Sequence, residues 1–189
     1  YQDMLSGSTT LIQAYVELSQ RTGRPVLATG AEPFIQFAKS LGLPDVHDIH
    51  MYHRNKPQGV YLAEAPAFKQ SQYGLYMRAA DIGLFRTSQT NTMAEAVLAG
   101  VPSIVLTMPA HRYMDVERMD TEFRTRGGRQ YLPHVAHDKL TDRMELIIRD
   151  PGEAASLVET QDRIFREVHG YKGSNFFSVL AHIGGIRLE

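Results

Sequence analysis

Apolar positions along the chain fall into short uninterrupted runs separated by amphipathic stretches, and the alternation predicts strands and helices in turn. Arg24 to Gly30 (Arg-Pro-Val-Leu-Ala-Thr-Gly), Val60 to Ala63, Asp81 to Phe85 and Ser103 to Thr107 are apolar runs long enough for buried strands and too short for helices. Between them the period changes. Ser6-Gly7-Ser8-Thr9-Thr10 opens a helix reaching about Arg21, with Leu11, Ala14, Tyr15 and Leu18 on its apolar face. A second helix starts at Glu32 or Pro33, runs through Lys39 and is closed by Gly42 and Pro44, and a third covers Ser71 to Ala79. Thr92 to Leu98 carries Met93, Ala94, Val97 and Leu98 on one side, with Gly100 placed to end the helix and Pro102 just beyond. Gln130 to Leu132 reads as a short strand. A helix from Asp138 then carries Leu140, Met144, Leu146 and Ile147 on one side and stops near Asp150-Pro151-Gly152. Glu153 to Val168 is a longer amphipathic helix, and Ser174 to Ile183 a last apolar one.

Strand, polar loop, helix and strand follow one another from Ala80 to Pro109, which makes a βαβ crossover and predicts that Asp81–Phe85 and Ser103–Thr107 are parallel neighbours. The chain as a whole then reads as α/β, a Rossmann-like doubly wound parallel sheet with C-terminal helices. The expected division is a nucleotide-binding unit over 1–150 and a helical extension over 151–189 that packs on it. In such sheets ligands settle beyond the carboxyl ends of the strands. Here that place holds the hydroxyl- and amide-rich loop Arg86-Thr87-Ser88-Gln89-Thr90-Asn91, and Glu95 is expected in the first turn of the following helix. Amides at a helix start attract phosphate, and a carboxylate can accept hydrogen bonds from the vicinal hydroxyls of a ribose. The alternative is structural: Ser88, Thr90 and Thr92 cap the helix, and Thr92 and Glu95 form a Thr-x-x-Glu capping box.

The stretch resembles the donor-nucleotide motif of GT-B glycosyltransferases, particularly the group containing the peptidoglycan GlcNAc transferase. The resemblance rests on Ala80-Asp81, Arg86-Thr87-Ser88, Thr92-Met93-Ala94-Glu95-Ala96 and Ala99-Gly100-Val101-Pro102-Ser103. It implies that the chain is the C-terminal, donor-binding half of such an enzyme. Glu95 then holds the ribose, Ser88, Gln89, Thr90, Asn91 and Thr92 receive the phosphates, and Arg86 stabilises the leaving diphosphate. Two departures stand out. The loop is one residue longer than in that transferase, and Gln89 and Asn91 replace small residues. Gly7 and Ser8 fall where the family has a phosphate loop after its first strand, although that strand is missing or degenerate. Phe68 and Gln70 fall on the loop that cups the base, and His111, Asp115 and Glu117 on the donor-sugar loop, with Asp120 as an alternative there. Plainer readings stand beside these: Ser8 and Thr9 as helix caps, Phe68 as core, Arg86 in a structural ion pair at the strand's end, and Asp115, Glu117 and Asp120 as a solvated helix face.

The family's catalytic base comes from the acceptor-binding domain, so no base is assigned here, and the implied partners are a nucleotide-sugar donor and an acceptor domain or subunit. A peripheral membrane contact through that other half is also implied. UDP-sugar 2-epimerases share the layout, and a catalytically silent binding or assembly module would keep the fold. The donor is a substrate; no cofactor and no obligatory metal are expected.

Composition narrows the picture a little further. The 189 residues carry a net charge of −1 with both signs interspersed, so no nucleic-acid footprint is expected. There is no cysteine, which removes disulfides and thiolate metal sites and suits a reducing, cytoplasmic setting. His47, His50 and His53 recur every third residue, but neither a strand nor a helix gathers them with a carboxylate at ligand spacing, so no metal site is expected. The chain begins at Tyr1 and is expected to be a fragment or to have an incompletely recorded N-terminus.

Overall fold

The computed structural model describes residues 2–30, 32–52, 58–64, 77–85, 91–107 and 132–168. Helices and parallel strands alternate through them. α1 (Gln2–Thr22) leads through a tight turn into β1 (Val26–Gly30), followed by α2 (Glu32–Ser40), β2 (Val46–Asp48), a 3-10 turn over Ile49–Met51, and β3 (Val60–Glu64). The second half holds β4 (Gly83–Phe85), α3 (Asn91–Leu98), β5 (Ser103–Thr107), β6 (His134–Ala136), a 3-10 turn over His137–Lys139, α4 (Leu140–Arg149) and α5 (Pro151–Val168). The strands make two three-stranded sheets, ordered β1-β3-β2 and β4-β5-β6, and every pair in them is parallel. The chain is therefore an α/β protein. The crossover expected between the two runs around Gly100 is present, in the register Gly83↔Ser103, Leu84↔Ile104 and Phe85↔Val105.

Side-chain alternation decides what each face of a strand meets. On β5, Ile104 and Leu106 enter a core with Leu11, Ala14 and Leu18 of α1, Val135 of β6, and Leu140, Met144 and Ile147 of α4. Val105, pointing the other way, packs with Met93 and Val97 of α3, Leu132 and Phe165 of α5. The β4-β5-β6 sheet is thus covered on both faces. In the first sheet Ala28, Val60 and Leu62 pack on Ile12 of α1 and on Ile35 and Ala38 of α2, so α1 and α2 share one face. Because α1 belongs to both cores, it lies across the two sheets.

All six strands point the same way. Glu17 of α1 accepts from Thr141 Oγ1 (2.8 Å), Arg21 donates to Asp142 (2.5 Å) and reaches Glu145, and Arg149 donates to the Arg21 carbonyl (3.0 Å). These contacts advance together along α1 and α4, so the two helices run in the same direction. Each lies antiparallel to the strand joined to it by a short turn, β1 after α1 and β6 before α4. Asp142, with Glu17 and Glu145 behind it, raises the pKa of the Arg21 guanidinium above its usual range.

The amino ends of the strands are laced by two buried side chains. Ser19 Oγ donates to the Arg24 carbonyl (2.6 Å) and accepts from the Gly59 amide (2.8 Å), tying the end of α1 to the entries of β1 and β3. Gln161 of α5 is fully buried; its Oε1 accepts from the Ser103 amide (3.1 Å) and its Nε2 donates to the Val101 carbonyl (2.5 Å). Ile164, one turn along, joins the α1–α4 core while Phe165 joins the α3 core, so α5 passes beneath the start of β5 from one face to the other. No helix among the described residues is long and apolar enough to cross a membrane.

Several sequence expectations shift. α1 starts at Gln2, four residues before the Ser-Gly-Ser-Thr-Thr run expected to open it. Of the strand expected at Gln130–Leu132 only Leu132 is described, and it lies outside any strand; His134–Ala136 is a strand the sequence reading did not expect. Leu98 and Leu146, expected on apolar faces, are exposed, and Ala96 takes the inward position in α3. Ser71 to Ala79 lies largely outside the described residues, and Ser174 to Ile183 entirely so.

Candidate site at the carboxyl ends of β1 and β4

From β1 the chain builds β2 and β3 on one side, and from β4 it builds β5 and β6. In each sheet the strands point one way, so their carboxyl ends lie together on one side. Crevices at such points are the usual ligand sites of parallel α/β sheets. Two helices start beyond these ends, α2 at Glu32 just after Gly30 and α3 at Asn91 after Phe85. Gly30 is required by close packing: a Cβ there would lie 2.6 Å from the Phe34 ring, which folds back over the end of β1.

α3 is firmly mounted. Met93, Ala96 and Val97 are buried. The helix closes with the Val101 amide donating to the Ala96 carbonyl and the Gly100 amide to the Val97 carbonyl, both at 3.0 Å. This is a Schellman ending, and it needs the positive φ of +73° that Gly100 adopts. Pro102 then leads into β5. Glu95 points away from the core and is exposed, and its carboxylate makes no hydrogen bond or ion pair among the described residues. A fixed backbone thus presents an unengaged carboxylate to solvent near a helix start.

The structure changes the reading of Glu95 in one respect. α3 begins at Asn91, so Glu95 opens the second turn rather than lying in the first. Thr92 is the second helical residue, and a capping box needs its Thr at the N-cap with the Glu three residues on. The side chains that would cap the helix, those of Ser88, Thr90 and Thr92, lie outside the described residues, and both readings of Glu95 carry forward. For Asn91 and Thr92 the structure gives the helical backbone alone. Arg86, Ser88, Gln89 and Thr90 lie outside the described residues, as do Phe68, Gln70, His111, Asp115, Glu117 and Asp120.

Gly7 and Ser8 require a correction. Both lie inside α1, past its first turn, and Ser8 is only 6% exposed. Only the first amides of a helix are free to bind an anion. Those of Gly7 and Ser8 are committed to the helix, so they form no phosphate loop.

The histidines do not gather either. His47 in β2 packs its ring against Tyr61, centroids 5.3 Å apart, while His50 projects into solvent beside Asp48 and His53 lies outside the described residues. Among the described residues no group of three His, Cys, Asp or Glu side chains is placed to hold a metal ion. Asp48 is engaged elsewhere: Lys39 donates to its carboxylate at 2.6 Å and the His50 amide at 3.0 Å, and these bonds hold its pKa below the ordinary value.

One polar pair near the strand ends escaped the sequence reading. Thr107 Oγ1, at the last position of β5, lies 3.2 Å from His134 Nδ1 at the first position of β6, and both residues are buried. Nothing in the local sequence marks His134, because its strand is three residues long and its partner is 27 positions away. A shallow groove of about 210 Å³ between α1 and the α2–β2 connection, lined by Gln13, Gln20 and Pro44, does not include Glu95 or the strand ends described above. Comparison of the chain with protein-family models, with curated proteins and with solved structures finds no match.

Proposed function

We propose that this chain is the donor-binding half of a GT-B-type glycosyltransferase, a Rossmann-like doubly wound domain that takes a nucleotide sugar, with a UDP-sugar as the donor. The observation that supports the reading is Glu95: an exposed carboxylate that makes no hydrogen bond or ion pair among the described residues, on a helix that follows the carboxyl end of β4. In the proposal Glu95 accepts hydrogen bonds from the 2′ and 3′ hydroxyls of the ribose. The amides at the start of α3, with Ser88, Gln89, Thr90, Asn91 and Thr92, receive the diphosphate. Arg86 adds a fixed positive charge as that diphosphate leaves. Phe68 and Gln70 serve the base, and His111, Asp115 and Glu117 the sugar hydroxyls. The chemistry needs no metal in this scheme. The base that deprotonates the acceptor hydroxyl belongs to an acceptor domain or subunit, so the chain by itself binds donor without transferring sugar.

Calorimetric titration with UDP, UDP-GlcNAc and GDP tests this reading. The expected result is binding of the two uridine nucleotides in preference to GDP, weakened about tenfold or more in Glu95→Ala by the loss of charge-assisted hydrogen bonds. No binding of any of them at millimolar concentration overturns it. A donor that binds and is epimerised without an acceptor would reassign the domain to the UDP-sugar 2-epimerase type.

A further inference from the structure

A buried hydroxyl–imidazole pair lies between β5, β6 and α3. Along β5, Ile104 and Leu106 enter the α1–α4 core while Val105 packs toward α3, so by alternation Thr107 shares the α3 side with Val105. His134 stands opposite Val105 in the parallel ladder, and Val135, opposite Leu106, joins the α1–α4 core. His134 is therefore on the α3 side as well. There Thr107 Oγ1 and His134 Nδ1 meet at 3.2 Å, with Thr107 6% and His134 5% exposed. The buried apolar cluster on that side is Met93, Val97, Val105, Leu132 and Phe165.

Helix and strand lengths say where along the sheet the hydroxyl lies. α3 runs back along β5 in the crossover from β4, and its end turns through Gly100 and Pro102 into Ser103. Its eight residues rise about 12 Å at about 1.5 Å each. Ser103 to Thr107 covers about 13 Å at about 3.3 Å per residue. Thr107, the last residue of β5, is thus level with the first turn of α3, where helix amides have no partner within the helix. One neutral hydrogen bond does little more than offset the cost of burying its two partners, and an apolar pair would fill the same space. At this level of the sheet a hydroxyl can do what an apolar side chain cannot: donate to the ligand those amides receive.

We propose that Thr107 is a further phosphate-contacting residue of the donor site and that His134 is its positioning residue. The inference rests on the donor-nucleotide reading above and extends it to a pair of residues that reading did not use. A threonine hydroxyl has one proton to donate and two lone pairs to accept with. For that proton to reach a diphosphate oxygen at the start of α3, the bond between the two side chains must run the other way, from His134 Nδ1–H to Thr107 Oγ1. The imidazole tautomer protonated at Nδ1 makes that bond and leaves the Thr107 O–H for the ligand. The pair therefore favours a nucleoside diphosphate over the bare nucleoside.

Calorimetry with UDP and with uridine, together with nitrogen NMR of the histidine rings, tests the assignment. In the wild-type protein bound to UDP, His134 should carry a proton on Nδ1, a result that needs no variant. Thr107→Val is expected to weaken UDP binding about tenfold, the loss of one charge-assisted hydrogen bond, and to leave uridine binding unchanged. Thr107→Ser keeps the hydroxyl and should restore most of the loss. His134→Leu should weaken UDP less than Thr107→Val does, and adding it to Thr107→Val should change nothing further, because it acts through that hydroxyl. An absence of UDP binding by the wild-type protein would overturn the nucleotide reading and this assignment with it. UDP binding by wild type that Thr107→Val leaves unchanged would overturn the assignment alone. An equal loss for UDP and uridine would do the same, since it marks a merely structural pair, and so would a His134 ring protonated only on Nε2 in the UDP complex.

Discussion

β1 and β5 are both five-residue strands of largely apolar sequence, Val-Leu-Ala-Thr-Gly and Ser-Ile-Val-Leu-Thr, yet their surroundings differ sharply. β5 has a parallel partner on each side, the α1–α4 core on one face and the α3–α5 core on the other. Among the described residues β1 has one partner and one packed face, through Ala28, while Leu27 stands in solvent. Strand-forming sequence is thus not what distinguishes them. Among the described residues β5 is enclosed on both edges and both faces, whereas β1 is enclosed on one of each.

Truncations should separate the two strands most clearly. Ile104→Ala is expected to cost about 2–5 kcal/mol, since it removes a fully buried side chain from the main core, whereas Leu27→Ala should cost no more than about 0.5 kcal/mol. Urea melts of the two variants check this. Comparable losses would show that β1 is as enclosed as β5 and would break the comparison.

Gln161→Leu comes next. It leaves the Ser103 amide and the Val101 carbonyl buried without their partner, and should cost about 1–3 kcal/mol in the same melts. Glu95→Ala should leave stability within about 0.5 kcal/mol of wild type, because the exposed carboxylate makes no hydrogen bond or ion pair among the described residues. A larger loss would make Glu95 a structural residue.

The smallest effect concerns acid stability. Lys39 and the His50 amide hold the Asp48 pKa below its ordinary value of 3.8, so the carboxylate's stabilisation is present above that value and is lost as pH falls through the lower folded one. Asp48→Asn should therefore narrow the stability difference between neutral and acid pH. Denaturant midpoints measured from pH 6 to pH 2 (roughly the range over which a carboxylate titrates) check the sign, and a steeper acid loss in the variant would contradict it.

Much of the frame can be read in the sequence because short apolar runs and helix stop signals are local. Gly100 and Pro102 announce the end of α3, and the runs on either side are the parallel pair β4 and β5. What could not be read depends on distant contacts. α1 continues back through Gly7 and Ser8 because buried packing outweighs the weak helix propensity of those residues. β6 is three residues long, and its pairing with β5 spans a long connection. At the site, Glu95 was legible as chemistry but not in its place. A start at Asn91 instead of Thr92 moves it from the first turn into the second, and a one-residue boundary lies beyond what propensity resolves.

The most direct test of the account is whether Glu95 reads a ribose. Binding of UDP and of 2′-deoxy-UDP should be measured by calorimetry on the wild-type protein and on Glu95→Ala. The account predicts that wild type favours UDP by about tenfold, one charge-assisted hydrogen bond's worth, and that Glu95→Ala binds both nucleotides equally at the weaker level. Equal affinity of the wild-type protein for the two nucleotides, or a preference that survives in Glu95→Ala, would contradict it.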